Sequence, residues 1–543
     1  MPEYLRTLIV LLALATAVFA FAKAPACASA CTTADFNRRR NLWFAITFAV
    51  FLANNFWIYI GLVALLLYFV VPHEKNKLAL YFFILFAVPP IRNEIAGVGG
   101  IRFIFTIDYF RLLALTVLLP TFVSLLKQRD TLRFGHAIPD MFLAAFLICQ
   151  FLLIAQVNTL TNTLRVGIFY PFLGVFLPYY VASRSVKTLE QFRDVLMSFL
   201  VAALVLCAVG FFEFARTWLL YSPLEQALGV PWNMGNYLRR DGDLRAVASA
   251  GESISLGYGI AVAMGFSLYL KRLAPSDWRL ALCMGLLIAG LISPLSRGPW
   301  VGAAVMLLVF ILTSQYPGRR LAQFALLAVV AAPLLLMTPA GDNIIGYLPW
   351  IGTVEAKTVD YRMALLTLSI NVIAQNPFFG AYDYFNAPEL QELAHGGRRF
   401  IDIVNSYVGI GLSQGLVGLS FFLGVFITVI FRIFRATRRI TDKGDERYVL
   451  GQILLSVLVG ILVIIGTVSS ISIIPIVYWS VAGLGVAYVR MLELGTDANK
   501  KPAEAVKRGE PGNRTIYPQL RIPPARPAAS RRQQAADGRQ PTT

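Results

Sequence analysis

A chain of 543 residues that is 57% hydrophobic and only 14% charged is too apolar for a water-soluble protein. Its net charge of +18 would suit a nucleic-acid binder, but the Lys and Arg residues gather in short connectors and in the tail. That is how positive charge distributes on the cytoplasmic face of a membrane protein, so no nucleic-acid partner is expected.

Apolar runs long enough to cross a bilayer as helices recur from one end to the other. Lipid offers no partners to backbone N–H and C=O groups, so such runs close their hydrogen bonds internally. The expected fold class is all-α, a polytopic transmembrane helix bundle of about 12–14 helices, with one large outward-facing loop containing short helices. In chain order the runs are 4–22, 42–71, 77–92, 103–126, 139–156, 164–182, 193–215, 252–270, 278–295, 299–314, 320–337, 403–431, 448–468 and 471–490. The first reads as a retained helix rather than a cleaved signal peptide. The second is long for one crossing, and Asn54-Asn55 makes it either one tilted helix or a broken pair. The expected divisions are N-terminal membrane helices over 1–100, a membrane bundle over 101–337, a large periplasmic loop over 338–402, C-terminal membrane helices over 403–491 and a disordered basic tail over 492–543.

Connectors rich in Lys and Arg alternate with poorer ones. Those at 72–77, 127–138, 183–193, 271–279, 315–320 and 432–447 are read as cytoplasmic. The 338–402 loop then faces the periplasm and the tail the cytoplasm of a bacterial inner membrane. Arg38-Arg39-Arg40 fits this topology only if 42–71 is a hairpin. Of the cysteines, Cys149, Cys207 and Cys283 lie in apolar runs, and Cys27 and Cys31 read as unpaired; none has metal-ligand spacing.

The orientation puts several arginines on the outward side, against the charge bias: Arg239, Arg240, Arg245, Arg297, Arg362, Arg398 and Arg399. One such arginine is an ordinary interfacial anchor, but the set would make a basic site for an anionic ligand, because guanidinium grips phosphate with paired hydrogen bonds. Carboxylates accompany them, with a single outward histidine, His395. A metal-independent reaction on a phosphorylated lipid fits, with carboxylate or histidine as base and arginine stabilising the diphosphate leaving group. No cofactor is expected. Asp108 and Arg111, three residues apart in an apolar run, read as a structural ion pair. Glu213 reads as interfacial, and Glu252 as a helix-start carboxylate.

These pieces carry a resemblance. Ser296-Arg297-Gly298-Pro299-Trp300 is followed by a helix pair, then a large outward loop with Asp360-Tyr361-Arg362 and Asn376-Pro377-Phe378-Phe379-Gly380. Asn405-Ser406-Tyr407 and Gly415-Leu416-Val417-Gly418-Leu419 come next, and Arg245 to Gly257 precedes them all. Over roughly 100–490 the chain resembles the O-antigen ligase and polymerase superfamily of bacterial membrane glycosyltransferases. The resemblance implies transfer of a glycan from undecaprenyl diphosphate to an acceptor hydroxyl on the outer leaflet. Arg297, Arg362 and Arg245 would hold the diphosphate, with Tyr361, Asn405 and Tyr407 in support. Ligases of the family carry His-Asn where this chain has Val404-Asn405, so the base falls to Asp402 or His395.

The missing histidine favours a polymerase of O-antigen or exopolysaccharide repeat units over a ligase that passes glycan to lipid A core or protein. Its partners would be the lipid-linked glycan, membrane lipid and a chain-length regulator. A flippase-type transporter or a non-catalytic assembly protein are the readings from other classes.

Overall fold

The computed structural model describes residues 1–230, 237–240, 242–270, 277–336, 356–391, 401 and 403–507. The chain divides into two compact units, Met1–Glu493 and Leu494–Thr543. Within the first, helix dominates. Among the described residues ten helices are long and apolar enough to cross a membrane, from Glu3–Ser29 to Ile473–Leu494, and Trp278–Ile292 and Arg297–Leu312 are shorter apolar helices.

Three expected runs have a different form. The 42–71 run is a broken pair, Thr33–Leu52 and Phe56–Val70. Asn54 adopts φ 50°, and the Asn55 side chain accepts hydrogen bonds from the Trp57 and Ile58 amides, which starts the second helix afresh. The 77–92 run does not cross: its helix, Lys77–Ile84, has 8 residues, and Pro89-Pro90 prevents continuation. The chain instead enters an antiparallel hairpin, Arg92–Ala96 with Phe103–Asp108, turning through Gly99 and Gly100 at positive φ. The expected 103–126 run therefore begins as a strand and becomes helical only at Tyr109. At that junction Asp108 caps the Arg111 amide and pairs with its guanidinium at 3.3 Å, the expected structural ion pair.

Ion pairs gather at one end of the bundle. Arg39, 1% exposed, donates to Glu74, Asp194 and Ser198, and Arg38 joins Glu74 at 2.8 Å. Arg184 and Asp140 form a second buried pair at 2.5 Å, with the Tyr179 hydroxyl donating to the same carboxylate. Arg193 and Tyr269 both reach Glu446. Arg38 and Arg39 thus share an end with the 72–77 and 183–193 connectors, the arrangement the broken pair requires. A cation and carboxylate buried together avoid the cost of leaving either alone.

Close helix packing depends on small residues. A Cβ at Gly302 would lie 2.1 Å from Ile464, and one at Gly298 would lie 2.3 Å from the Thr467 hydroxyl. The Gly298–Gly302 spacing puts both on one face, so Arg297–Leu312 nests against Glu446–Ile465 and the position of Arg297 is fixed from below.

Candidate functional site

At the opposite end, a short two-stranded turn, Arg239–Arg240 with Asp243–Leu244, leads into the segment before the Ser253–Leu270 helix. This segment is stitched to the 293–295 turn. The Ala246 amide donates to the Ser293 carbonyl at 3.1 Å, the Arg245 Nε to the Pro294 carbonyl at 3.1 Å, and the Arg240 guanidinium to the Leu295 carbonyl. Leu295 is buried with φ 47°, a conformation unfavourable to a branched side chain. Arg297 opens the Arg297–Leu312 helix two residues later.

Arg362 approaches the same place from the Ala356–Gln375 helix. Burial pushes the Arg245 guanidinium down to about 10, and the charges of Arg240 and Arg362 add to that depression. Guanidinium groups that repel one another at a half-buried position make a region that gains from a bound anion. The N-terminus of the Arg297–Leu312 helix lies within it, and the positive end of the helix dipole favours negative charge as well.

A buried carboxylate supports the frame. Glu213 is 1% exposed and accepts from the amides of Leu220, Val247 and Ala248 at 2.9, 3.0 and 2.8 Å. It is therefore an internal brace for the segment that carries Arg245. A carboxylate ending an apolar run marked this residue in the sequence, but its amide partners are distant in the chain.

The long loop has a core of its own. The Ala356–Gln375 helix packs through Leu365 and Val372 against Tyr384, Leu390, Ile401 and Leu412, with Tyr361, Val404 and Val408 at the margin. Two motifs singled out separately in the sequence are joined here. The Ser406–Thr437 helix breaks at Gly415 (φ 63°, ψ −166°), and Asn376-Pro377-Phe378-Phe379-Gly380 fills the break. The Pro377 and Phe378 carbonyls accept the Leu416 and Val417 amides at 2.8 and 3.0 Å, and the Ala381 amide donates to the Leu412 carbonyl at 2.8 Å. Backbone groups released by the kink are thereby satisfied, as an apolar setting demands.

The supporting residues have structural partners. Asn405 caps the Ser406–Thr437 helix, its Oδ1 accepting from the Tyr407 amide at 2.9 Å and the Val408 amide at 3.3 Å. The Tyr407 hydroxyl donates to the Leu462 carbonyl at 2.6 Å. Ser406 and Ser469 tie 403–406 to 468–469 through the Val468 and Ile403 carbonyls. Tyr361 borders the loop's small core. Asp402 and His395, the candidate bases, lie outside the described residues, as do Arg398 and Arg399. Among the described residues no three His, Cys, Asp or Glu side chains form a group able to hold a metal ion.

No curated protein matches the chain. Residues 282–423 match the family model described as O-antigen ligase. That span holds Arg297, Arg362, the Asn376–Gly380 motif and the Gly415 break, whereas Arg240 and Arg245 precede it. The match supports placing this membrane protein in the O-antigen ligase and polymerase superfamily.

Proposed function

We propose that the chain is a membrane glycosyltransferase that polymerises undecaprenyl-diphosphate-linked repeat units into O-antigen or exopolysaccharide on the outer leaflet of a bacterial inner membrane. The observation that carries this reading is the stitching of the segment holding Arg240 and Arg245 to the 293–295 turn, beside the helix that Arg297 opens. In this reading the end holding Arg39, Glu74 and Asp194 faces the cytoplasm and the arginine end faces the periplasm.

The acceptor hydroxyl attacks the anomeric carbon of the lipid-linked glycan. Its proton passes to a base, for which Asp402 and His395 are the candidates, and a new glycosidic C–O bond forms. The bond from the anomeric carbon to the diphosphate breaks, and the electron pair leaves with undecaprenyl diphosphate. Arg297, Arg362 and Arg245 neutralise the charge that develops on that leaving group. Asn405 and Tyr407, through the cap and the bond to Leu462, hold the start of the Ser406–Thr437 helix.

A ligase that delivers glycan to lipid A core or to protein is the second reading, favoured by the description of the matching family model. Val404, standing where ligases of the family have histidine, favours the polymerase. Arg297→Ala and Arg362→Ala should each abolish long-chain polysaccharide while the protein stays in the membrane; normal chain length in both would overturn the enzymatic reading. A deletion strain separates the two enzymes. Single repeat units left on the lipid carrier indicate the polymerase, and finished polymer stranded on the carrier indicates the ligase.

A further inference from the structure

A cavity of about 690 Å³ opens at the end of the bundle opposite the arginine cluster. Leu307, Phe310 and Phe324 form its apolar wall, Gln452 lies at its base, and Arg320 and Lys443 stand at its rim. The volume is in the range of about 300–1,000 Å³ common to small-molecule sites. Gln452 is 4% exposed and donates to the Phe310 carbonyl, so the inner polar group is already satisfied. The Arg320 guanidinium lies 5.7 Å from the Phe310 ring centroid.

Neither Arg320 nor Lys443 makes an ion pair among the described residues. The carboxylates nearest Lys443 in the chain bond to backbone and keep their charge, so they offset the rim cations without pairing with them: Asp442 accepts from the Gly444 amide at 2.7 Å, and Asp445 caps the Arg447 amide at 2.8 Å. The mouth adjoins exposed apolar surface of a kind that suits acyl chains: Leu312, Leu321 and Phe324 are 55%, 46% and 40% exposed.

We propose that this cavity binds an anionic phospholipid of the adjacent leaflet. Arg320 and Lys443 hold the headgroup phosphate, and the first acyl methylenes lie along Leu307, Phe310 and Phe324. The site combines two positive charges with an apolar wall that continues into the hydrocarbon, so its complement is an amphiphile with an anionic head. A soluble anion would satisfy the rim and leave the wall wet. The chain's own tail, with Arg514, Arg521, Arg526, Arg531 and Arg532, would bring like charge to the rim.

The test uses the full-length protein in nanodiscs of phosphatidylcholine with increasing phosphatidylglycerol, read by thermal unfolding and by native mass spectrometry of retained lipid. Wild-type protein is expected to retain phosphatidylglycerol and to unfold at higher temperature with it. The Arg320→Ala/Lys443→Ala variant should lose about tenfold or more in apparent affinity for it. Leu307→Trp, which fills the cavity and leaves the charges, should lose the same lipid and provides the answer if the double variant does not fold. Undiminished affinity in both variants would overturn the proposal. So would equal stabilisation by phosphatidylcholine, or inorganic phosphate that stabilises as well as phosphatidylglycerol.

Discussion

Gly380 and Gly415 meet backbone to backbone: a Cβ on Gly380 would lie 2.6 Å from the Gly415 nitrogen, and one on Gly415 would lie 2.4 Å from the Phe378 carbonyl carbon. Gly415→Ala therefore meets both a closed contact and a conformation almost reserved for glycine, which alone costs about 1–3 kcal/mol. The variant should show a lowered unfolding temperature in detergent and little polysaccharide. Wild-type stability with Ala at 415 would show that the helix closes without the break.

Burial of Arg245, with repulsion from Arg240 and Arg362 added, gives a pH signature. Arg245 has its guanidinium depressed to about 10, so its charge is retained below that pH and lost above it. Its charged form is disfavoured in the fold, so the associated cost is fully present below about pH 10 and is relieved as pH rises through that value. Pyrophosphate binding, measured by calorimetry, should fall as pH rises through 10. Arg362→Ala removes one repelling charge and should move the fall to higher pH. An identical profile in the variant would show that the two do not act on one anion.

Asn405 separates capping from chemistry. Its side chain satisfies two helix-start amides, so Asn405→Ala should cost about 0.5–2 kcal/mol. Asn405→Ser restores a cap acceptor and should recover both stability and polymer length. Recovered stability without recovered polymer would assign Asn405 a role on the substrate.

Glu213 braces the Arg245 segment through three amides. Glu213→Ala leaves those donors buried without an acceptor, at about 1–3 kcal/mol for each unsatisfied group. Weakened pyrophosphate binding is expected alongside the lower unfolding temperature, because Arg245 is released from the Pro294 carbonyl. A stability loss with unchanged pyrophosphate affinity would confine Glu213 to the fold.

Arg39 tests the buried network at the other end. Arg39→Ala leaves the buried Asp194 without its cation and Glu74 with Arg38 alone, which should cost about 3–5 kcal/mol. Asp194→Asn in the same background should recover part of it, as one repelling carboxylate is removed. Expression level and unfolding temperature report both.

Sequence alone determined that this is a polytopic helical membrane protein, because the hydrophobic demand of a bilayer is local and is read directly from run length. Charge bias across connectors also marked Arg239, Arg240, Arg245, Arg297, Arg362, Arg398 and Arg399 as an expected outward set, and the family resemblance narrowed it to Arg245, Arg297 and Arg362. What it left open or missed depends on which partner each polar group finds. The break at Asn54-Asn55 was an open alternative until Asn55 was seen to cap the Phe56–Val70 helix, and the hairpin at 92–108 was hidden because apolar strands and helices have similar composition. Tertiary structure alone decided that Asn376–Gly380 fills the break at Gly415, that Glu213 serves amides far along the chain, and that Arg240 and Arg245 share the 293–295 turn. Hydrophobic runs place helices across a membrane whatever their neighbours; buried polar groups and strained glycines acquire meaning only from the partner that satisfies them.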